Sequence, residues 1–299
     1  MNPQVSIIIV NYNSQQYLGD CIDSIYTYVS DVSYEIIVVD NASESGSVQF
    51  IKQKYPGVKL FVNSENKGFG AANNIGSRHA SGDYLFFLNP DTILLDNALL
   101  RFYQFIEEEM PAAVSCGGNL ITRNGDPTTS YGNFPSVLQE FGDMGFRKFF
   151  KKYYDEYLSI GKTCKSLTVP ALVSYIVGAD IFIKKNIFQE VGGFDEAFFL
   201  YYEETDLYFR LHSAGYKSYV LPQVKIIHLE GSSLLGNGKL NIEKWAIWEK
   251  SKYHYFRKHK GKIVAGIVKV MQLKSLVLHS FFGSTKYPLR KALRITWKA

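Results

Sequence analysis

The chain reads as an α/β protein: a mostly parallel sheet with helices on both faces. Three observations lead there. The apolar runs "VSIIIV" (5–10), "YEIIVVD" (34–40) and "YLFFL" (84–88) are short and continuous, the pattern of strands buried on both sides. Stretches with helical spacing separate them, as with Leu18, Ile22, Ile25 and Val29. Finally, the second run ends on Asp40 and the third on Asn89-Pro90-Asp91. The carboxyl edge of an open sheet is where ligands bind.

The elements follow in order. After the strand at 34–40 comes a helix-like stretch from Ser43 to Tyr55, then Pro56-Gly57 and a short strand, "VKLFV" (58–62). "GFGAANNIGSRHA" is rich in small residues and compatible with a helix. The strand at 84–88 stops at Pro90, which cannot donate to a ladder, so Asp91 lies just past its end. Asp96 is placed to start a helix near 96–110, and a strand near 112–116 follows. Residues 123–168 are irregular, an excursion over the active face or a mobile segment. "LVSYIVGADIFIKK" (172–185) reads as two short strands, and 203–215 as a helix stopped by Gly215. "KSYVLPQVKIIHLEG" reads as two strands broken at Pro222, ending at His228. The tail has helical spacing without a clear second core.

With 299 residues, 46% hydrophobic and 20% charged, the composition is that of a globular protein with a large core. The N-terminal stretch lacks the basic and apolar regions of a signal peptide, and no run reaches the roughly 18–20 apolar residues that span a bilayer. Cys21, Cys116 and Cys164 form no metal or disulfide pattern, which favours a reducing, cytoplasmic setting. Charge is uneven. Residues 239–299 carry 15 Lys/Arg against 2 Asp/Glu, a net +13, whereas the first 238 carry 18 against 26, a net −8. Basic tails suit nucleic acid or anionic membranes. The acidic body and the absence of a nucleic-acid motif exclude the first.

Four polar points interrupt the apolar segments: Asp40, Asn89/Asp91, Glu203/Glu204/Asp206 and His228. Asp40 could cap the following helix as readily as bind a ligand. "GFGAANNIG" resembles a dinucleotide fingerprint but does not follow the first strand, which argues against a dehydrogenase.

"VSIIIVNYN", "IIVVDNAS", "ENKGFGAANNIG", "YLFFLNPDT", "VGADIFIKKNIFQEVGGFDEAFFLYYEETDLYFRLHSAGY" and "IIHLEGSS" occur in this order. Together they resemble the family 2 inverting glycosyltransferases of GT-A fold, in particular the bacterial rhamnosyltransferase-like branch. The resemblance covers about residues 4–235 and implies a transferase domain over 1–238; the charge count and helical spacing make 239–299 a basic, helical extension. It implies transfer of L-rhamnose from dTDP-rhamnose to a lipid-linked or growing glycan, in surface polysaccharide synthesis. UDP-linked galactose, glucose or N-acetylglucosamine are the alternative donors, and a non-catalytic nucleotide- or carbohydrate-binding relative is the further alternative.

The resemblance also implies roles. Family members hold a divalent cation, Mg²⁺ or Mn²⁺, with an Asp-x-Asp element. Here it is Asn89-Pro90-Asp91, leaving Asp91 as the acidic ligand and Asn89 as a ribose or phosphate partner, while His228 matches a third ligand of some relatives. Val10, Tyr12 and Asp40 match the base and ribose pocket, and Asn66, Gly68 and Asn74 the wrap around the nucleotide. Glu204, second of the pair Glu203-Glu204, matches the catalytic base. A helix start would favour its ionised form by about 0.3–1 kcal/mol. Asp180 and Glu203 are expected at the acceptor pocket, and Asp195 at a turn. The tail is expected to dock on the inner face of the plasma membrane through its cations and Trp245, Trp248, Phe281, Phe282 and Trp297. Packing on the body or on a second subunit is the alternative.

Overall fold

The computed structural model of the chain describes residues 2–44, 46–229, 235–236, 239–281 and 289–299. In chain order the elements begin β1 (Val5–Asn11), α1 (Gln15–Tyr28), β2 (Tyr34–Asp40), α2 (Ser47–Lys54), β3 (Lys59–Val62) and α3 (Phe69–His79). They continue with β4 (Tyr84–Leu88), β5 (Thr92–Leu94), α4 (Ala98–Gln104), β6 (Ala113–Ile121), β7 (Tyr131–Gly132), α5 (Val137–Asp143) and the single turn α6 (Lys151–Tyr153). Then come β8 (Ala171–Val173), β9 (Tyr175–Ile176), β10 (Asp180–Lys184), α7 (Lys185–Glu190), α8 (Glu203–Ser213), β11 (Lys217–His228), α9 (Ile242–Phe281) and α10 (Leu289–Lys298). The chain divides into two units. The first comprises Met1–Gly132, Gly161–Ala197 and Glu203–Glu230; the second comprises Asn133–Ile160, Phe198–Tyr202 and Gly231–Ala299. The second therefore takes in residues 133–160 and 198–202 as well as the tail.

The first unit is built on a sheet of order β3-β2-β1-β4-β10-β6-β11-β5, with β8 also paired to β11. Strands β3, β2, β1 and β4 are parallel, as the buried apolar runs predict. Beyond them the sheet is mixed. β10 lies antiparallel to both β4 and β6, β11 is parallel to β6, and β5 and β8 are antiparallel to β11. Pro222 does not split 217–228 into two strands. The ladder to β6 slips between Leu221 and Lys225 and then resumes, so the proline is absorbed by a bulge.

Both sheet faces are covered, which is why the strands carry no polar alternation. On one face Ile7, Ile9, Val38, Phe86 and Phe182 join Leu18, Ile22 and Phe102 in one core. On the other, Phe87 meets Phe188 and Phe194 with ring centroids 5.0 and 5.2 Å apart. Each such side chain contributes about 1.5–3 kcal/mol when fully buried. The helix after β5 is capped by Asn97, whose side chain accepts from Leu100 N at 3.3 Å, rather than by Asp96.

The second unit has a core of its own. Trp245, Leu276 and Ala292 are buried together, with Trp248 packed against them, so neither tryptophan is a free interfacial anchor. Trp297 is exposed; Phe282 and the side chain of Phe281 lie outside the described residues. Lys252 is fully buried, 3.0 Å from Glu249 and 3.6 Å from Glu140, with its ammonium over the Trp248 ring. Glu249 also accepts from Tyr253 Oη and Thr296 Oγ1. This cluster ties α5, α9 and α10 together. α9 breaks at Gly261, whose φ of 87° is outside the helical region.

The entry to β4 is a tight backbone approach. A Cβ on Gly82 would lie 2.8 Å from both Ser6 N and Val5 C, main-chain atoms that cannot rotate away. Gly82→Ala is expected to destabilise the protein by about 1–3 kcal/mol, read as a lower urea midpoint with an unchanged slope.

Candidate active site at the carboxyl edge of the sheet

The opening of the site is a matter of register. β4 runs out at Leu88, Asn89-Pro90-Asp91 turns the chain, and β5 pairs antiparallel with the last residues of β11. Thr92 falls opposite His228, so the residue before Thr92 meets the imidazole. Asp91 Oδ1 is 3.4 Å from His228 Nε2, and Leu229 N donates to Asp91 O at 2.8 Å. Thr92 closes the turn by donating to Asn89 O from Oγ1 (2.7 Å) and from N (3.2 Å). Two polar atoms are left over: Asn89 Oδ1 and His228 Nε2 are buried without a hydrogen-bond partner.

These atoms fit a divalent cation. Adjacent ligands of an octahedral ion with bonds of about 2.1 Å lie about 3 Å apart, near the observed separation. Among the described residues no three His, Cys, Asp or Glu side chains gather into a metal-binding group. The protein therefore offers one carboxylate and one imidazole, and a cation held there would take its other oxygens from water or a diphosphate.

Asp40 sits at the end of β2, directly across from Asn11 in the β1 ladder. Its Oδ2 accepts from Asn11 Nδ2 (2.7 Å) and Ser47 Oγ (2.8 Å), and its Oδ1 from Ser43 N (2.9 Å). It is buried and occupied in joining β1, β2 and the entry to α2. Asn11 keeps one buried acceptor, Oδ1, without a donor. Val10 is buried beside it, while the Tyr12 ring is exposed. Asn66 Oδ1 accepts from Gly68 N and from Asn41 Nδ2, and Gly68 takes a φ of 88° as the chain enters α3. Asn74 is a correction to the sequence reading. Its amide donates to Phe194 O (2.8 Å) and Glu196 (3.1 Å) and its Oδ1 accepts from Phe194 N (3.0 Å), so it fastens the 194–196 turn and has no group free for a nucleotide.

Asn41 escaped the sequence reading. It is buried, donates to Asn66 Oδ1 and Gly68 O, and accepts from Asn63 Nδ2 and Lys67 N. One side chain thus holds the whole 63–68 loop. A buried amide directly after a strand-ending carboxylate was the available signal.

Glu203 and Glu204 open α8, and each has a buried Oε2 without a hydrogen-bond donor. Glu203 packs against Gly70, where a Cβ would be 3.5 Å from its own. Burial raises both carboxyls above the ordinary range, and Glu204 pushes Glu203 further in the same direction. The helix start does not offset this, because loss of hydration outweighs the end of a helix dipole. Asp206 is not part of this opening; buried, it holds Arg210, which donates to Val191 O and Gly193 O. Asp195 accepts from Ala197 N in a turn, as predicted. Asp180 is a second correction. It is wholly buried in the ladder opposite Leu88, its Oδ2 accepting from Gly118 N at 2.5 Å, and burial raises its carboxyl well above the usual range. It cannot face an acceptor pocket.

The mixed α/β sheet with helices on both faces is that of a GT-A glycosyltransferase. The profile of Glycosyl transferase family 2 matches residues 6–168, and the chain belongs to that family. It is rhamnosyltransferase-like. Rhamnosyltransferase WbbL of Escherichia coli is 29% identical over 238 residues, spanning 75% of this chain and 83% of that protein. N-acetylglucosaminyl-diphospho-decaprenol L-rhamnosyltransferase of Mycobacterium tuberculosis is 24% identical over 78% of each. The solved structure of GalNAc-T7 with UDP, GalNAc and Mn²⁺ superposes with a TM-score of 0.59 at 16% identity, covering 88% of this chain. This chain spans about half (51%) of the length of that structure, and the likeness concerns the fold.

The raised carboxyls have a stability consequence. A folded-state pKa above the unfolded value means the folded state binds more protons, so stability falls as pH climbs from the ordinary glutamate range, about 4.3, through the folded value. Glu203→Gln and Glu204→Gln are each expected to raise neutral-pH stability by about 1–3 kcal/mol. The gain should vanish in acid. Thermal unfolding across a pH series measures both.

Proposed function

We propose that this enzyme is an inverting, cation-dependent glycosyltransferase that moves L-rhamnose from dTDP-rhamnose to a lipid-linked or growing glycan acceptor. The observation that carries the cation-dependent transfer is the pairing of Asp91 with His228 at 3.4 Å on the carboxyl edge of the sheet. The sugar is supported by the two rhamnosyltransferase relatives, and a lipid-linked acceptor by the diphospho-decaprenol in the name of one of them.

In this reading Asp91 and His228 hold Mg²⁺ or Mn²⁺ against the donor diphosphate. When bound, the ion stabilises the negative charge that develops on the leaving diphosphate. Asn89 Oδ1 meets a ribose or phosphate hydroxyl, and the free Asn11 Oδ1 suits an N–H of the base. The acceptor hydroxyl donates to Glu204 Oε2, the partner that atom lacks. Its oxygen then attacks the anomeric carbon from the face opposite the diphosphate. The carbon–oxygen bond to the diphosphate breaks, the electron pair leaves with the phosphate oxygen, and Glu204 takes the proton. A carboxyl raised towards neutrality is a stronger base than an ordinary glutamate, provided the pH keeps it ionised. The acidic limb of the rate profile therefore lies above the usual carboxylate range. The enzyme works at the cytoplasmic face of the membrane, where a lipid-linked acceptor is presented. No helix among the described residues is long and apolar enough to cross that membrane.

Transfer assays with a panel of dTDP-rhamnose and UDP-hexoses test the donor. Asp91→Asn should abolish transfer and cation-dependent donor binding, and EDTA should do the same to the wild type. Turnover that survives EDTA rules out the cation. Separately, Glu204→Gln should lower single-turnover transfer by about 10²–10⁴ with donor affinity retained, and Glu203→Gln should do less. Normal rates in both would remove the base from this helix.

A further inference from the structure

The segment 137–160 belongs to the second unit and plays no part in the site above. Its centre reads Arg147-Lys148-Phe149-Phe150-Lys151-Lys152-Tyr153-Tyr154, four cations and four aromatics without an acid. The aromatics are not all buried. Phe149 is 73% exposed, Tyr153 52% and Tyr157 55%. These three recur every four residues, and the Tyr153 and Tyr157 rings lie 5.1 Å apart. They line a shallow concavity of about 520 Å³ together with Phe150, Lys151, Lys152 and one acid, Glu156, which accepts from the Tyr157 hydroxyl. Phe141 and Phe146 stack behind them, centroids 4.2 Å apart, and Phe150 extends the row. Three large exposed rings at one spot are unfavourable in water unless something covers them.

The cations decide what covers them. Arg147 and Lys151 both pair with Asp155, and the Arg147 guanidinium lies over the Tyr154 ring. Among the described residues no ion pair engages Lys148 or Lys152. The Lys148 ammonium lies 5.2 Å from the Phe149 ring centroid, beside the most exposed aromatic. Amphipathic rings flanked by uncompensated ammonium groups match the boundary between lipid headgroups and acyl chains, where rings enter the apolar layer and cations meet phosphates. A protein partner would have to supply both an apolar face and unpaired acids; an anionic lipid surface has both throughout.

We propose that residues 146–157 form a docking patch for an anionic lipid surface, with Phe149, Tyr153 and Tyr157 as the inserted rings and Lys148 and Lys152 as the headgroup contacts. The proposal extends the membrane setting of the proposed function to a segment outside the basic tail, and its test does not depend on catalysis. Full-length protein is sedimented with vesicles of phosphatidylcholine alone and of phosphatidylcholine mixed with phosphatidylglycerol. Lys148→Gln/Lys152→Gln should weaken partition onto the mixed vesicles about thirtyfold, at about fivefold per basic residue near the surface. It should change binding to phosphatidylcholine little. Phe149→Ser/Tyr153→Ser should weaken binding to both. The substituted positions are exposed, and an unchanged unfolding temperature confirms the fold. Wild-type partition in both double variants overturns the proposal, as does absence of wild-type binding to mixed vesicles. A concentration-dependent dimer that Phe149→Ser disperses also overturns it, because the cover is then a second copy. Turnover on a water-soluble acceptor should be the same in all variants. If the wild type itself lacks that turnover, the catalytic reading fails while the vesicle result stands separately.

Discussion

The chemistry of the site hangs on three residues of antiparallel pairing between β5 and the end of β11. Thr92–Leu94 is too short to hold itself, yet its register decides that His228 stands beside Asp91. What fixes β5 is apolar. Leu94 is fully buried among Ala98, Leu99 and Phe102, and its amide is held from α1 by Ser24 Oγ at 3.1 Å. A slip of one residue would turn Leu94 out of the core and carry the Asp91 carboxylate away from the imidazole together. Core packing and site geometry are therefore one constraint. A core substitution that loosens Leu94 acts on the Asp91–His228 pair without touching it.

The buried carboxyls show how similar burial serves different ends. Asp180, Glu203 and Glu204 are all desolvated, and all have raised carboxyls. Asp180 is enclosed in the ladder by Gly117 and Gly118, and a Cβ on either would crowd it, so its carboxyl belongs to the sheet. The two glutamates begin a helix. Like Asp180 through its Oδ1, each keeps a buried oxygen without a donor, but theirs stand at the head of α8 rather than inside the ladder. A buried, unsatisfied polar atom costs about 1–3 kcal/mol. Such an expense persists where a bound hydroxyl relieves it, and it makes the ligand-free protein less stable than its fold would allow. The helix N-terminus offers only about 0.3–1 kcal/mol in return, which is why the expectation of an ordinary ionised carboxylate fails here.

The parallel half of the sheet was legible because β1, β2 and β4 are continuous apolar runs, and nothing else buries such a run so economically. Asp91 was legible for the same reason: a proline and a carboxylate directly after a buried strand mark the sheet edge. The antiparallel entry of β10 between β4 and β6 was not. An apolar strand of five residues looks the same whichever way it points, and direction is set by long-range pairing. Asp180 and Asn74 were misplaced because a motif gives position along the chain, not the direction of a side chain. Asn41 was passed over because its neighbour Asp40, the strand-ending carboxylate, drew the ligand reading, while the amide beside it binds only the loop.

Charge counting misled in a similar way at the tail. Its 15 cations and tryptophans suggested a membrane-docking face with no core of its own, yet Lys252 is fully buried between two glutamates and Trp245 is inside the unit's core. Removing one partner of such a cluster costs about 3–5 kcal/mol, so these charges specify how α5, α9 and α10 pack. Conversely, 137–160 carries four cations and four acids, a net of zero, and attracts no attention in a charge sum. In three dimensions Asp155 is spent on Arg147 and Lys151, Asp143 accepts from Gln139 and Tyr154, Glu156 accepts from Tyr157, and Glu140 and the buried Lys252 face each other in the interior. Lys148 and Lys152 are left at the surface among exposed rings. What a charge can do follows from which of its neighbours remain unspent, and that is a property of the folded chain.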